Sequence, residues 1–168
     1  MPVRPAAPLV FGLALVCFAG PALAQSVQEI GIFKDWAAYS ASEGAGAVCF
    51  AMSKPTDVAP SPDGYTQGYL YLTHRPAENV NNEINVVAGF DFAPDQPATL
   101  TVDGKSFALF TQKDSGWLAD ATQNDALAGA LRAGQTVVIQ GTADKGVLVS
   151  ETFSLAGATA ASKAISSC

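Results

Sequence analysis

Apolar and polar side chains alternate along most of this chain in short β-branched and aromatic runs, cut by Gly, Asp and Pro. That texture belongs to an all-β domain. Residues 30–40 read as a first strand and 47–53 as a second, joined across Glu43-Gly44-Ala45-Gly46. Residues 54–65 carry Pro55, Pro60, Pro62 and Asp63-Gly64, so a surface loop is expected there. Residues 67–75 alternate well, with Tyr69, Tyr71 and Thr73 on one face and Leu70, Leu72 and His74 on the other, and Pro76 stops the run. Residues 83–90 follow, with Ile84, Val86 and Ala88 facing together.

Asp103-Gly104 separates 99–102 from 105–111 and is the strongest turn signal in the chain, since Asp-Gly suits the type I′ hairpin. A second hairpin pairs 136–141 with 147–154 around Asp144-Lys145-Gly146. Two short helices interrupt the strands. One covers about 122–133, with Thr122 as its cap, Leu127, Ala130 and Leu131 as its buried stripe, and Gly134 at its end. The other covers about 157–166, where Ala161, Ala164, Ile165 and Cys168 share one face. About nine strands and these helices imply two packed sheets. A small closed barrel is the alternative that periodicity leaves open.

The amino terminus departs from this texture. Arg4 precedes the apolar run 9–19, Gly20-Pro21 breaks it, and Ala22-Leu23-Ala24 places small residues where signal peptidase needs them. Residues 1–24 therefore read as a cleavable secretory signal, leaving residues 25–168 as one domain. The remaining 144 residues carry 8 basic and 15 acidic side chains, with no later run apolar enough to cross a membrane. An acidic chain with scattered Lys and Arg has no electrostatic footprint for nucleic acid. Cys17 leaves with the signal, so in an oxidising compartment Cys49 and Cys168 are expected to form one disulfide. The helical face that carries Cys168 turns it toward the core, where Cys49 lies on the second strand.

Candidate chemistry is sparse. His74 is the single histidine, too few ligands for zinc, and there is no Gly-x-Ser-x-Gly elbow to present a nucleophile beside it. No metal, cofactor or catalytic residue is assigned. Gly44-Ala45-Gly46 lacks the spacing of a phosphate loop. Carboxylate-pair chemistry would draw on Glu83, Asp91, Asp114 or Asp120, all near strand ends. Trp36 and Trp117 are expected in the core. His74 and Arg75 end a strand on opposite faces, with Arg75 beside Tyr71, and these three form the candidate binding group. The plainer role of Arg75 is an ion pair with Glu78 or Glu83.

The chain resembles the invasion-associated locus B family of exported α-proteobacterial proteins. The resemblance is carried by Phe33-Lys34-Asp35-Trp36-Ala37-Ala38-Tyr39, Val48-Cys49-Phe50-Ala51-Met52-Ser53-Lys54-Pro55 and Thr73-His74-Arg75-Pro76. It continues through Phe107-Ala108-Leu109-Phe110-Thr111 and Phe153-Ser154-Leu155-Ala156-Gly157, in the family's order. Phe90-Asp91-Phe92 and Leu131 are mild departures from it. The resemblance implies an immunoglobulin-like two-sheet β-sandwich in the periplasm or at the outer membrane, and it brings no catalytic residues. The expected function is that of a non-catalytic envelope protein that binds a protein or envelope partner. A periplasmic hydrolase using paired carboxylates and a periplasmic stabilising factor are the alternatives.

Overall fold

Among the described residues, eleven antiparallel strands follow one another by hydrogen bonding in a single sheet. The computed structural model describes residues 27–43 and 46–168, so the expected signal segment, 1–24, lies outside the described residues. The first strands are β1 (Gln28–Phe33), β2 (Trp36–Glu43), β3 (Gly46–Ser53), β4 (Asp57–Ala59), β5 (Tyr69–Arg75) and β6 (Val80–Val87). They are followed by β7 (Ala98–Val102), β8 (Lys105–Gln112), β9 (Ser115–Leu118), β10 (Thr136–Thr142) and β11 (Leu148–Ser154). The helices are α1 (Asn124–Ala133) and α2 (Ala158–Ile165). Across the sheet the order is β1-β2-β3-β5-β6-β9-β8-β7-β10-β11-β4.

Alternation turns one side chain in two inward, and the inward sets of both halves of the sheet belong to one cluster. Leu70, Leu72, Ile84 and Val86 from one half join Leu100, Val137, Ile139 and Phe153 from the other. The halves thus face each other as two layers, compatible with the sandwich expectation, while hydrogen bonding passes unbroken between them. Trp36, 2 % exposed, ties β2 to β11 by donating its indole N–H to the Ser154 carbonyl at 3.0 Å.

The helix α2 fills the inner side of β1, β2 and β3. Its buried residues are Ala158, Ala161, Ser162 and Ile165, and the strand residues beneath it are equally small, with Ala38, Cys49 and Ala51 almost fully buried. Small residues on both surfaces let helix and sheet approach closely. Cys168 lies just past the helix and is joined to Cys49, with the Cα atoms 6.1 Å apart.

Several elements differ from the periodicity reading. The run 30–40 is two strands, because Lys34 takes a left-handed φ of 55° and reverses the chain between Phe33 and Trp36. Lys34-Asp35 lacks the Gly or Asn that usually marks such a turn. The expected loop 54–65 contains β4, which pairs with β11, and β9 had no pattern long enough to read. Thr122 does not cap α1. The Asp120 carboxylate accepts from the Thr122 backbone N–H at 3.0 Å and so caps a 3-10 turn, Ala121–Gln123, that leads into the helix. Hydrogen bonds from the Thr122 hydroxyl, at 2.6 Å, and then from its backbone N–H lower the Asp120 pKa from its ordinary value. Gly134 follows the helix in an extended conformation. There a Cβ would lie 2.6 Å from Val102 Cγ1, so close approach rather than a left-handed φ calls for glycine. The Asp103-Gly104 turn has positive φ at both residues, as a type I′ turn requires.

Candidate functional site

The outer side of β2, β3, β5, β6, β9 and β8 carries side chains that the core does not need. On β3 the inward residues Cys49, Ala51 and Ser53 are buried, so Val48, Phe50 and Met52 point outward and are half-exposed. On β5 the same alternation buries Leu70 and Leu72 and turns Tyr69 and Tyr71 out. Register then lines these residues up. Met52 stands opposite Tyr71, Tyr71 opposite Asn85, Asn85 opposite Trp117, and Trp117 opposite Phe110.

Cross-strand neighbours in such rows are in contact range. Ring centroids lie 5.4 Å apart for Tyr39 and Phe50, and 6.1 Å for Phe50 and Tyr71. They lie 5.9 Å apart for Tyr69 and Tyr71, and 6.3 Å for Phe110 and Trp117. The ammonium of Lys54 sits 5.8 Å from the Tyr69 ring centroid, within cation–π range. Burial among these rings pushes the Tyr71 phenol above its ordinary value, with the Tyr69 hydroxyl adding to the effect. Phe110 is 58 % exposed, so this face of the sheet ends in an aromatic ring set in water.

At the centre is an open depression of about 390 Å³ whose lining includes Phe50, Tyr71, Arg75, Glu83, Asn85 and Trp117. Arg75 forms a two-point contact with Glu83, Nη1 to Oε1 at 3.2 Å and Nη2 to Oε2 at 2.8 Å. Its Nε also reaches Glu78 at 3.1 Å. The Glu83 hydrogen bonds, more than any other contact, raise the Arg75 pKa from its ordinary value. Beside Phe50, Tyr71 and Trp117 the pair supplies one fixed donor fork and one fixed acceptor.

Of the three candidate binding residues, the structure brings Tyr71 and Arg75 together and separates His74 from them. His74 stands opposite Cys49 in the β3 register, and directly paired residues share a face, so it belongs to the disulfide side. Trp36 is in the core, but Trp117 is half-exposed on the aromatic face, contrary to the expectation for it. Sequence pattern does not group Tyr39, Phe50, Tyr69, Trp117 and Phe110. Their signal lies in β3, where small residues alternate with large ones and the small set is the buried one.

Of the four strand-end carboxylates, two are engaged elsewhere and two share one recess. Glu83 pairs with Arg75, and Asp120 caps the turn before α1. Asp91 and Asp114 line a separate recess of about 600 Å³ with Asp63 and Asp144. Among the described residues, no group of three or more His, Cys, Asp or Glu is placed to hold a metal ion.

Three comparisons bear on this arrangement. The family model described as "Invasion associated locus B (IalB) protein" matches residues 36–166. The chain is similar in fold to the crystal structure of invasion associated protein B from Bartonella henselae, with a TM-score of 0.58 at 14 % identity. That likeness covers 82 % of this chain and 95 % of the other. No curated protein matches the chain.

Proposed function

The chain belongs to the invasion associated locus B family, and from that premise we propose that it is exported, resides in the periplasm or at the outer membrane, and acts without catalysis by binding a protein or envelope partner. Residues 1–24 serve as its signal and 25–168 as its working domain. The binding surface is the aromatic face, with Tyr71 and Arg75 at its centre.

The observation that carries this reading is the row of outward aromatic residues on β2, β3, β5, β9 and β8, interrupted at β6 by Asn85. An antiparallel sheet with a packed inner face ordinarily shows water a polar outer one. Contiguous apolar surface with a polar pair set into it is the anatomy of an interface, where Tyr, Trp and Arg concentrate binding energy. A hydrolytic reading would fall on the acidic recess, but Asp63, Asp91 and Asp144 there are exposed to solvent.

Envelope extract passed over immobilised protein tests the reading, with mass spectrometry of what co-elutes. Phe110→Ser with Trp117→Ser is expected to remove the specific co-eluting species while the melting temperature moves by a few degrees at most. Thr99→Ala with Thr101→Ala, on the other half of the sheet, is expected to keep them. Equal capture by both variants would overturn the assignment.

A further inference from the structure

The molecule also buries a carboxyl that the aromatic face does not use. Glu151 sits mid-strand in β11, turned inward between Val149 and Phe153 and 1 % exposed. The Tyr65 hydroxyl donates to its Oε1 at 3.1 Å and accepts from the Gly68 backbone N–H at 3.0 Å. Glu151 Oε2 is buried with no hydrogen-bond partner among the described residues. A Cβ on Gly68 would collide with Oε1, so the chain at 65–68 is fitted directly onto the carboxyl.

The segment that carries Tyr65 is fastened to β11 in a second way. Its β4 residues pair with residues 150–152, Val58 standing opposite Glu151 itself. The Thr56 N–H donates to the Thr152 carbonyl at 2.7 Å, and the Thr66 N–H to the Gly89 carbonyl at 2.8 Å. One carboxyl therefore lies beneath both attachments of residues 54–68 to β11, the β4 pairing and the Tyr65 hydroxyl, while the Thr66 bond to Gly89 fixes the end of the segment apart from that strand.

We propose that Glu151 and Tyr65 form a proton-operated clasp, which holds residues 54–68 closed on β11 while the carboxyl keeps its proton and loosens them when the proton leaves. The protonated acid is neutral and tolerates sparse hydrogen bonding among apolar neighbours. The carboxylate would be a buried charge with one donor and no counter-ion, a state that a protein relieves by admitting water. Burial accordingly pushes Glu151 up to about 7, and the Tyr65 hydrogen bond draws it only partly back. Tyr65 is itself pushed to about 12, chiefly by burial, so its hydroxyl remains a donor throughout the range in which Glu151 titrates.

Other charges facing the clasp are few. Strand β10, which pairs along β11, carries no titratable residue, and Glu151 is the one titratable residue on β11. On β4, Asp57 stands opposite Thr152 and is exposed. From β5, Tyr69 acts on Tyr65 rather than on Glu151, and His74 is at the far end of that strand, opposite Cys49. Asp63, in the clasped segment, is exposed.

The sign follows from linkage. A folded-state value above the ordinary 4.5 means that the closed form binds the proton more tightly than the open form. Closure is therefore strongest below the ordinary value, weakens as pH rises from 4.5 toward about 7, and stays weak above it. With those two values the opening equilibrium should rise about thirty-fold between roughly pH 5.5 and roughly pH 8.5.

Hydrogen exchange at the amides of Thr56, Thr66 and Gly68, corrected for intrinsic base catalysis, reads that equilibrium. The wild type is expected to show the thirty-fold rise, and Glu151→Gln, which cannot ionise, a pH-independent rate. Tyr65→Phe provides the check should Glu151→Gln not fold. It removes the hydroxyl that lowers the Glu151 value, so the midpoint of the pH dependence should move upward. Equal corrected rates in the wild type at both pH values overturn the proposal. So does a thirty-fold rise that persists in Glu151→Gln, or a midpoint that Tyr65→Phe leaves in place.

Discussion

The outer surface of this sheet has two unlike halves. Over β2, β3, β5, β9 and the second half of β8 it presents Tyr39, Phe50, Tyr71, Trp117 and Phe110, whereas over β7, the start of β8, β10 and β11 it presents Thr99, Thr101, Ser106, Gln140 and Ser150. The second set is ordinary for a solvated face, and its side chains bond one another, Thr101 with Ser106 at 2.8 Å and Gln140 with Ser150 at 3.0 Å. The inner sides differ only in part. Beneath the polar half lie Leu100, Ile139 and Phe153, and beneath β5 and β6 of the aromatic half lie Leu70, Leu72, Ile84 and Val86. Beyond Trp36, however, the buried residues of β2 and β3 include the small Ala38, Ala51 and Ser53, against the small face of α2. Folding explains the polar half, large inside and polar outside. In the aromatic half large side chains stand outside where the core does not use them, and that asymmetry is the basis of the proposed binding surface.

The largest expected effect tests the inner side of that half. Cys49→Ser with Cys168→Ser opens a loop of sequence separation 119, and chain entropy puts the loss near 5 kcal/mol before any strain is considered. Urea unfolding of the oxidised wild type and the double variant measures it. A difference within error would mean that α2 is held on β2 and β3 by packing alone. Partner capture per folded molecule should be unchanged, because the staple is on the other side of the sheet.

A smaller effect separates the two sides of one strand. Ala51→Leu inserts bulk between β3 and α2 and should cost about 1–3 kcal/mol. Its neighbour Phe50→Ala loses ring contacts worth about 1 kcal/mol, yet it should impair capture far more than Ala51→Leu does. Thermal melts and pull-downs on the two variants give a crossed pattern if the sides have different duties. If capture simply tracks stability in both, the distinction between the sides is wrong.

The smallest effect lies at the polar pair within the aromatic face. Arg75 and Glu83 are partly exposed, with side chains 23 % and 30 % accessible, so Arg75→Ala should cost at most about 1 kcal/mol. The melting temperature should hardly move while capture weakens. Unchanged capture would remove Arg75 from the binding surface and leave it as a structural ion pair.

Local pattern alone determined much of this protein. Alternation in 67–75 and 83–90, the Asp103-Gly104 turn and the stripe Leu127, Leu131 are written in neighbouring residues, because strand and helix periods are properties of the backbone over a few residues. So is the all-β class with two short helices. Tertiary structure decided what no local period contains. Which strand lies beside which is fixed by non-local pairing, and β9 found its place between β6 and β8 although its own run of four residues is too short to signal anything. That pairing brought Trp117 to Asn85 and so extended the aromatic row across the sheet. The same holds for Glu151, which in sequence is one polar residue in an alternating strand. Only its register against β4, and the arrival of Tyr65 over it, make it a buried acid, because burial depends on what the rest of the chain lays on top.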